Sequence, residues 1–299
     1  GKGISGEEVS RRNSTLGYAD RFDEKYELVR SLRVGDWKYL RHYQPHYPDG
    51  LQNNYRYRMA AYREWRDLYD EGKLGSDQRQ HFEGKTPERL FNLRTDPHEL
   101  HNLAADPAHQ ARLLEMRGAL QEKLKSLPDL GFVPENILVA EAMDDPVNYG
   151  KTHAAEIRAL IDTADLMLHP FSESEAALRD ALASDNAMIR YRAVTVCAAY
   201  GPDAAELVKP VKDLLDDPAP IVRVQAVEFL GLLGEIDPRK PLIEITNGTG
   251  DPVEKLIALQ SAAFFHNHPA LAFPFDANAF DPVAAGGGAE RRIHYFRGD

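Results

Sequence analysis

The feature that most constrains this chain is an internal repeat. The stretch LRDALASDNAMIRYRAVTVCAAYG at 178–201 lies over VKDLLDDPAPIVRVQAVEFLGLLG at 211–234 without a gap, Leu178 falling on Val211, a period of 33 residues. Asp180 and Asp213, Leu182 and Leu215, Arg190 and Arg223, Ala193 and Ala226, Val194 and Val227, and Gly201 and Gly234 coincide. A worn third copy, PLIEITNGTGDPVEKLIALQSAAFF, follows, with Asp251 and Pro252 in place of Asp217 and Pro218. Strand signals stop near Thr152, and the apolar spacing becomes helical. A helical period of this length means a helix pair per unit, and stacked units make an α-solenoid. Asp217 can cap the second helix of its unit, and Pro218 suits the first helical position. The small Ala-Val pairs let neighbouring helices approach closely. The repeats are placed at 150–268.

The front part reads differently. Residues 1–20 are polar and predict an irregular lead-in. ELVRSLRVGDWKYLRHY, Glu27 to Tyr43, holds two β-prone runs around Val34, Gly35 and Asp36, so a hairpin is predicted with Gly35 supplying the turn. QPHYPDG closes the sheet segment with two prolines and an Asp-Gly turn. Residues 54–71 carry Tyr55, Met59, Tyr62, Trp65, Leu68 and Tyr69 at helical spacing, with Gly72 as a stop. ERLFN predicts another strand, and Asp96-Pro97 a turn. Asp106 and Pro107 then open a helix whose stripe is Leu113, Met116, Leu120, Leu124 and Leu127, ending near Ser126 before Pro128. The fold class is α+β and then all-α: a small antiparallel sheet packed by a long helix over 1–137, then the solenoid. Residues 269–299 show no period and predict a loose tail. Their closing Arg297-Gly298-Asp299 is a tripeptide that chance explains. Asn13 and Asn247 head glycosylation triplets that matter only along a eukaryotic secretory route.

Composition narrows the function. The formal charge is −11, but residues 1–94 hold 18 Lys and Arg against 15 Asp and Glu, and the rest 18 against 32. Bulk acidity argues against a nucleic-acid partner. Mean hydropathy is −0.48, and no 18-residue apolar run exists to span a membrane. The single cysteine, Cys197, lies in an apolar helical run, so neither an internal disulfide nor a cysteine zinc cluster can form. The chain opens on Gly1 without a signal-like segment, which leaves targeting unread.

No P-loop, dinucleotide-binding glycine motif, nucleophile elbow or paired-histidine zinc motif occurs. His42 and His46, His98 and His101, and His266 and His268 form loose pairs. Two ligands without a third and a supporting shell make no metal site. Asp144-Asp145 and Asp216-Asp217 precede prolines and read as caps. From the residues, then, no catalytic set, metal site or cofactor emerges in this chain.

Two resemblances add to this. The pattern Asp217, Pro218, Val222, Arg223 and Ala226 resembles the second helix of HEAT repeats, which implies a docking surface and a protein partner rather than chemistry. Residues 1–137 resemble the C-terminal part of the formylglycine-dependent sulfatases of the alkaline-phosphatase-like superfamily. Arg30, Arg33, Gly35, Trp37, Lys38, Tyr39 and Leu40 match its strand pair, and RLFNLRTDPHELHNLAADP, Arg89 to Pro107, its closing segment. The resemblance implies a secreted or periplasmic parent enzyme hydrolysing sulfate esters, such as those of sulfated glycans. That parent would use Ca²⁺ and a formylglycine made from Cys or Ser in a C/S-x-P-x-R motif. The motif is missing here: Ser126-Leu127-Pro128-Asp129-Leu130 has Leu in place of Arg, and Cys197 is followed by two alanines. The expectation is therefore a fragment without the catalytic half, inactive alone. The resemblance further implies that Arg21, Asp23 and His46 face the substrate, Arg21 as the oxyanion contact. Relatives often carry an Arg near Ala19, so one anion contact of the family is expected to be absent here. The alternative is a non-enzymatic binding protein with a relic sulfatase segment.

Overall fold

The computed structural model describes residues 13–284 and 286–298. Four strands form an antiparallel meander in chain order: β1 (Ser14–Phe22), β2 (Lys25–Val34), β3 (Trp37–His42) and β4 (Glu88–Asn92). The hairpin sits as read: Val34 pairs with Trp37 across Gly35 and Asp36, and Gly35 takes φ +60°, which costs glycine little. The lead-in expectation needs correction from residue 14 onward. Ser14 to Phe22 pairs with β2, Leu16 opposite Leu32, with an irregularity between Ala19 and Arg21. Among the described residues no strand pairs with its outer edge, and its side chains are largely exposed, so no alternation of apolar and polar residues announced it. Residues 1–12 of that lead-in lie outside the described residues.

One face of the sheet is apolar because Tyr26, Leu28 and Leu32 alternate along β2 and meet Tyr39 and Leu90 of the next strands. Residues 54–71 are helical in two pieces, Asn54–Tyr57 and α1 (Ala60–Asp70), with Gly72 at φ +67° just beyond. A 3₁₀ turn, Pro107–His109, capped by Asp106, leads into α2 (Gln110–Ser126). Leu113, Met116, Leu120 and Leu124 of α2 cover the apolar sheet face. Leu127 falls outside this stripe: the chain turns extended there, and the side chain is 61% exposed.

Helices α3 (Pro146–Thr152) and α4 (Ala154–Asp165) join the sheet to three helix pairs. These are α5 (Phe171–Leu182) with α6 (Ala187–Tyr200), α7 (Val208–Asp213) with α8 (Pro220–Leu232), and α9 (Arg239–Gly248) with α10 (Pro252–His266). The repeat positions explain themselves. Ala193, Val194, Ala226 and Val227 are fully buried, and Gly201 and Gly234 end their helices at φ +57° and +72°. Asp251 caps α10 with Pro252 in the first position, as read. In the second unit the cap shifts: Ala219 is the N-cap and Pro220 the first-turn proline. Asp217 still accepts the Ala219 N–H at 2.8 Å, but it mainly receives Arg190 at 2.7 and 3.0 Å.

The last stretch is not loose over its described residues. It holds α11 (Gly288–Tyr295), and Phe275, Phe280, Ile293 and Phe296 pack into the core of the second and third repeats. Arg292 of α11 is buried and donates to the Gln52 carbonyl at 2.5 Å and the Glu24 carbonyl at 3.1 Å. Asp299 of the terminal tripeptide lies outside the described residues. The anchors are irregularly spaced, so no period betrayed them. No described helix is long and apolar enough to cross a membrane.

Candidate functional site

Two concave regions flank the sheet. The smaller is a shallow recess of about 310 Å³ on the face away from α2, lined by Lys25, Glu27, His42, Asp49 and Arg89 among others. Apart from Arg89, these charges satisfy one another. Lys25 Nζ lies 2.7 Å from Glu27, Lys85 Nζ donates to Asp49 at 3.1 Å and also pairs with Glu27, and His42 Nδ1 is 3.4 Å from Glu27 Oε1. Burial alone would raise the Glu27 carboxyl, but Lys85 and Lys25 override it and hold the group well below the usual range. Burial pushes the His42 imidazole down. This network ties β2 and β3 to the segments around Asp49 and Lys85.

Those ties shape the larger cleft, of about 420 Å³, between the residue 46–84 excursion and the end of the third repeat. QPHYPDG cannot continue the sheet because of its prolines. It turns instead: Tyr47 N–H donates to the Gln44 carbonyl at 3.1 Å, and Lys85 N–H to the Pro45 carbonyl at 2.7 Å. His46 is thereby placed against Tyr47, ring centres 4.5 Å apart, and Phe264 of α10, 5.9 Å apart. Tyr47 OH and Ser261 Oγ both donate to Glu228 Oε1, a fully buried carboxylate. His46 Nε2 stands 3.6 Å from the other Glu228 oxygen, beyond hydrogen-bond reach, and neither nitrogen of this 7%-exposed side chain has a partner.

The end of α10 supplies the opposite wall. His266 Nδ1 accepts the Phe275 N–H at 3.1 Å, and His268 Nδ1 accepts those of Ala270 and Leu271 at 3.3 and 3.2 Å. Burial lowers both imidazole pKa values, which favours the neutral form. Between them, Asn267 Oδ1 accepts from Tyr295 OH at 2.5 Å, while its Nδ2 is buried without a partner. Arg66 of α1 is occupied, donating to the Gly50 carbonyl at 2.5 Å and to Tyr57 OH at 2.6 Å. Tyr69, Phe82 and Phe264 make the aromatic part of the lining.

Of the three side chains implied to face substrate, His46 lines this cleft and the other two do not. Arg21 grips Glu135 with both ends of its guanidinium, and Asp23 accepts from Arg291 at 2.7 Å. The sequence offered no hint that residues over a hundred positions away would occupy them. His266 and His268, seen only as a loose pair, frame the cleft with Asn267. His98 and His101 fall in the expected turn, where Asp96 accepts the Leu100 and His101 N–H groups at 3.1 and 2.9 Å.

No serine, threonine or cysteine lines the larger cleft. Cys197 is fully buried in α6, and burial pushes its thiol up, so it stays a protonated packing group. Among the described residues no group of three or more His, Cys, Asp or Glu side chains is placed to hold a metal ion. These residues thus do not fit calcium or a formylglycine nucleophile, and no step through either is assigned to them.

Comparison with known proteins bears on both halves. Residues 175–263 match the model of HEAT repeats. A stretch of 122 residues, 40% of this chain, is 38% identical to an ulvan-active sulfatase from Formosa agariphila, and covers 20% of that protein. The chain thus combines a segment related to a sulfatase with HEAT repeats. It aligns with only a fifth of the length of the relative it matches.

Proposed function

We propose that this chain is the closing subdomain of a sulfate-ester hydrolase, joined to a HEAT-repeat module that brackets its sheet. The observation carrying this is the 38% identity to a sulfatase over 122 residues. The four-stranded sheet under a long helix supports it as well. On this reading the parent acts on sulfate esters of a glycan and works outside the cytoplasm, and its Ca²⁺ and formylglycine belong to a catalytic part that this chain does not supply. The chain alone is expected not to turn over sulfate esters, because no serine, threonine or cysteine lines its larger cleft and its described residues gather no metal ligands. The HEAT repeats would then dock a protein partner or hold the catalytic part.

A second reading rests on that same lack of a nucleophile: a binding scaffold whose sheet is a relic. Release of inorganic sulfate from 4-nitrophenyl sulfate and from a sulfated polysaccharide separates the two. The hydrolase reading expects no release by this chain, and release by the protein translated from the reading frame extended upstream to its start codon. Release by this chain, abolished by a substitution within it, contradicts the proposed inactivity. No release by the extended protein on any sulfate ester leaves the scaffold reading.

A further inference from the structure

The shallow recess on the sheet face away from α2 keeps two polar groups without partners. His42 lines it with a side chain only 5% exposed, and its Nε2 is buried with no hydrogen bond among the described residues. Its Nδ1 lies 3.4 Å from Glu27 Oε1. Against the cost of burial, Lys85 and Lys25 keep Glu27 ionised, and a carboxylate only accepts. The His42 proton therefore sits on Nδ1, and Nε2 offers a lone pair. Arg89, the second group, lines the recess half-buried and makes no side-chain hydrogen bond or ion pair among the described residues. It pairs with Leu40 of β3, and His42 lies two residues further along that strand on the same face. Arg89 and His42 are thus diagonal neighbours, about 7–8 Å apart, within reach of one ligand.

Four carboxylates line the same recess, and each already holds a cation. Asp20 takes Arg30 at 2.8 Å, Glu27 takes Lys25 at 2.7 Å, Asp49 takes Lys85 at 3.1 Å and Glu99 takes Lys38 at 2.6 Å. Arg56 donates to the Asp49 carbonyl at 2.7 Å and lies over the Phe22 ring, and no described carboxylate pairs with it. What the recess leaves over is the charge of two guanidinium groups and one imidazole lone pair.

We propose that this recess docks an acidic segment of a separate polypeptide. A carboxylate of the segment accepts from Arg89, a main-chain N–H beside it donates to His42 Nε2, and Val29, Leu40 and Phe91 meet its aliphatic stem. A guanidinium takes a carboxylate through two parallel N–H groups. The main-chain N–H is the donor that a polypeptide brings wherever it docks. A small inorganic anion would answer Arg89 and leave His42 Nε2 unpaired, and a basic segment would meet two unpaired guanidinium groups. Residues 1–94 supply all of the lining except Glu99, and they hold 18 Lys and Arg against 15 Asp and Glu, while the rest of the chain holds 18 against 32. An acidic partner is therefore steered to this half of the molecule. None of this depends on the hydrolase reading.

The test is a titration of the chain with acetyl-Gly-Asp-Gly-amide, acetyl-Gly-Lys-Gly-amide, sodium acetate and sodium sulfate, followed through the His42 ring signals in NMR. A saturable shift is expected with the Asp peptide and none with the Lys peptide. Acetate and sulfate, which bring no N–H donor, are expected to bind about tenfold more weakly. Arg89→Gln weakens binding of the Asp peptide about tenfold, with the melting temperature unchanged within a few degrees. Arg33→Gln removes the same charge from an exposed position outside the recess and leaves that binding unchanged. Should Arg89→Gln unfold, the wild-type titrations decide. No saturable shift with the Asp peptide, equal binding of the Lys peptide, or either salt binding as tightly overturns the proposal, and so does a folded Arg89→Gln that binds as the wild type does. The upstream-extended protein is titrated in the same way. Binding retained there supports a separate partner, and binding lost there shows that the parent's own chain covers the recess, which overturns it.

Discussion

At the scale of single residues, buried charges carry the unusual energetics. Arg292 lies fully buried on α11, its two terminal nitrogens donating to the Gln52 and Glu24 carbonyls and the Gln52 side chain while its Nε has no partner among the described residues, and burial pulls its pKa down to about 10. Removing it leaves those carbonyls unpaired in a closed space. Arg292→Ala is expected to lower unfolding free energy in a urea melt by about 3 kcal/mol; a loss below about 0.5 kcal/mol would show the site to be wet. His81 offers a pH test. Its ring stacks on Trp65, centres 4.4 Å apart, and burial lowers its pKa to about 4. The unfolded chain binds that proton near pH 6.5, so the neutral ring's contribution is complete above that pH and is lost as pH falls from about 6.5 to 4. The melting temperature should therefore drop over this window, and less steeply in His81→Phe; equal slopes in the two proteins would dismiss the histidine as the source. Neither residue carries a role legible in the sequence. A lone Arg in a region without period, or a His beside a Phe, carries no local sign of burial.

Elements were legible where chemistry is local. Gly35, Gly72, Gly201 and Gly234 all sit at positive φ where the chain turns or a helix ends, and Asp106 and Asp251 cap as their following prolines suggested. Strand β1 and helix α11 escaped because their reasons are distant: β1 exists through pairing with β2, and α11 through Glu24, Asp23 and Gln52. The two repeat aspartates make a paired test. Among the described residues the Asp251 carboxylate accepts only from Val253 and Glu254 N–H, at 2.7 and 3.2 Å, so Asp251→Ala should cost about 1 kcal/mol. Asp217, its counterpart one unit earlier, also holds Arg190 with a side chain only 3% exposed. Asp217→Ala should cost about 3 kcal/mol. Equal losses would mean that the Arg190 pair contributes little beyond the cap.

At the scale of the molecule, sheet and solenoid share their cores. One apolar cluster joins Tyr47 and Leu51 of the excursion to the second and third repeats and to Phe296, and another joins the sheet to Ile157, Leu160 and Met188. Gln260 of α10 even completes β2: its Oε1 accepts the Tyr26 N–H at 2.5 Å and its Nε2 donates to the Tyr26 carbonyl at 2.8 Å. Sequence reading separated the modules because composition changes near Thr152; it had no access to which faces meet, and so missed the cleft that their meeting creates. His46 was singled out, yet its neighbours His266 and Asn267 belonged to what read as the end of another module. On the proposed reading, this chain closes and supports a sulfate-ester hydrolase without performing the chemistry. The most direct measurement is inorganic sulfate released from a sulfated polysaccharide by the upstream-extended protein, by this chain, and by the extended protein carrying Gln260→Ala. Release is expected from the first, none from the second, and release from the third that falls at lower temperature than the first. Release by this chain alone would contradict it.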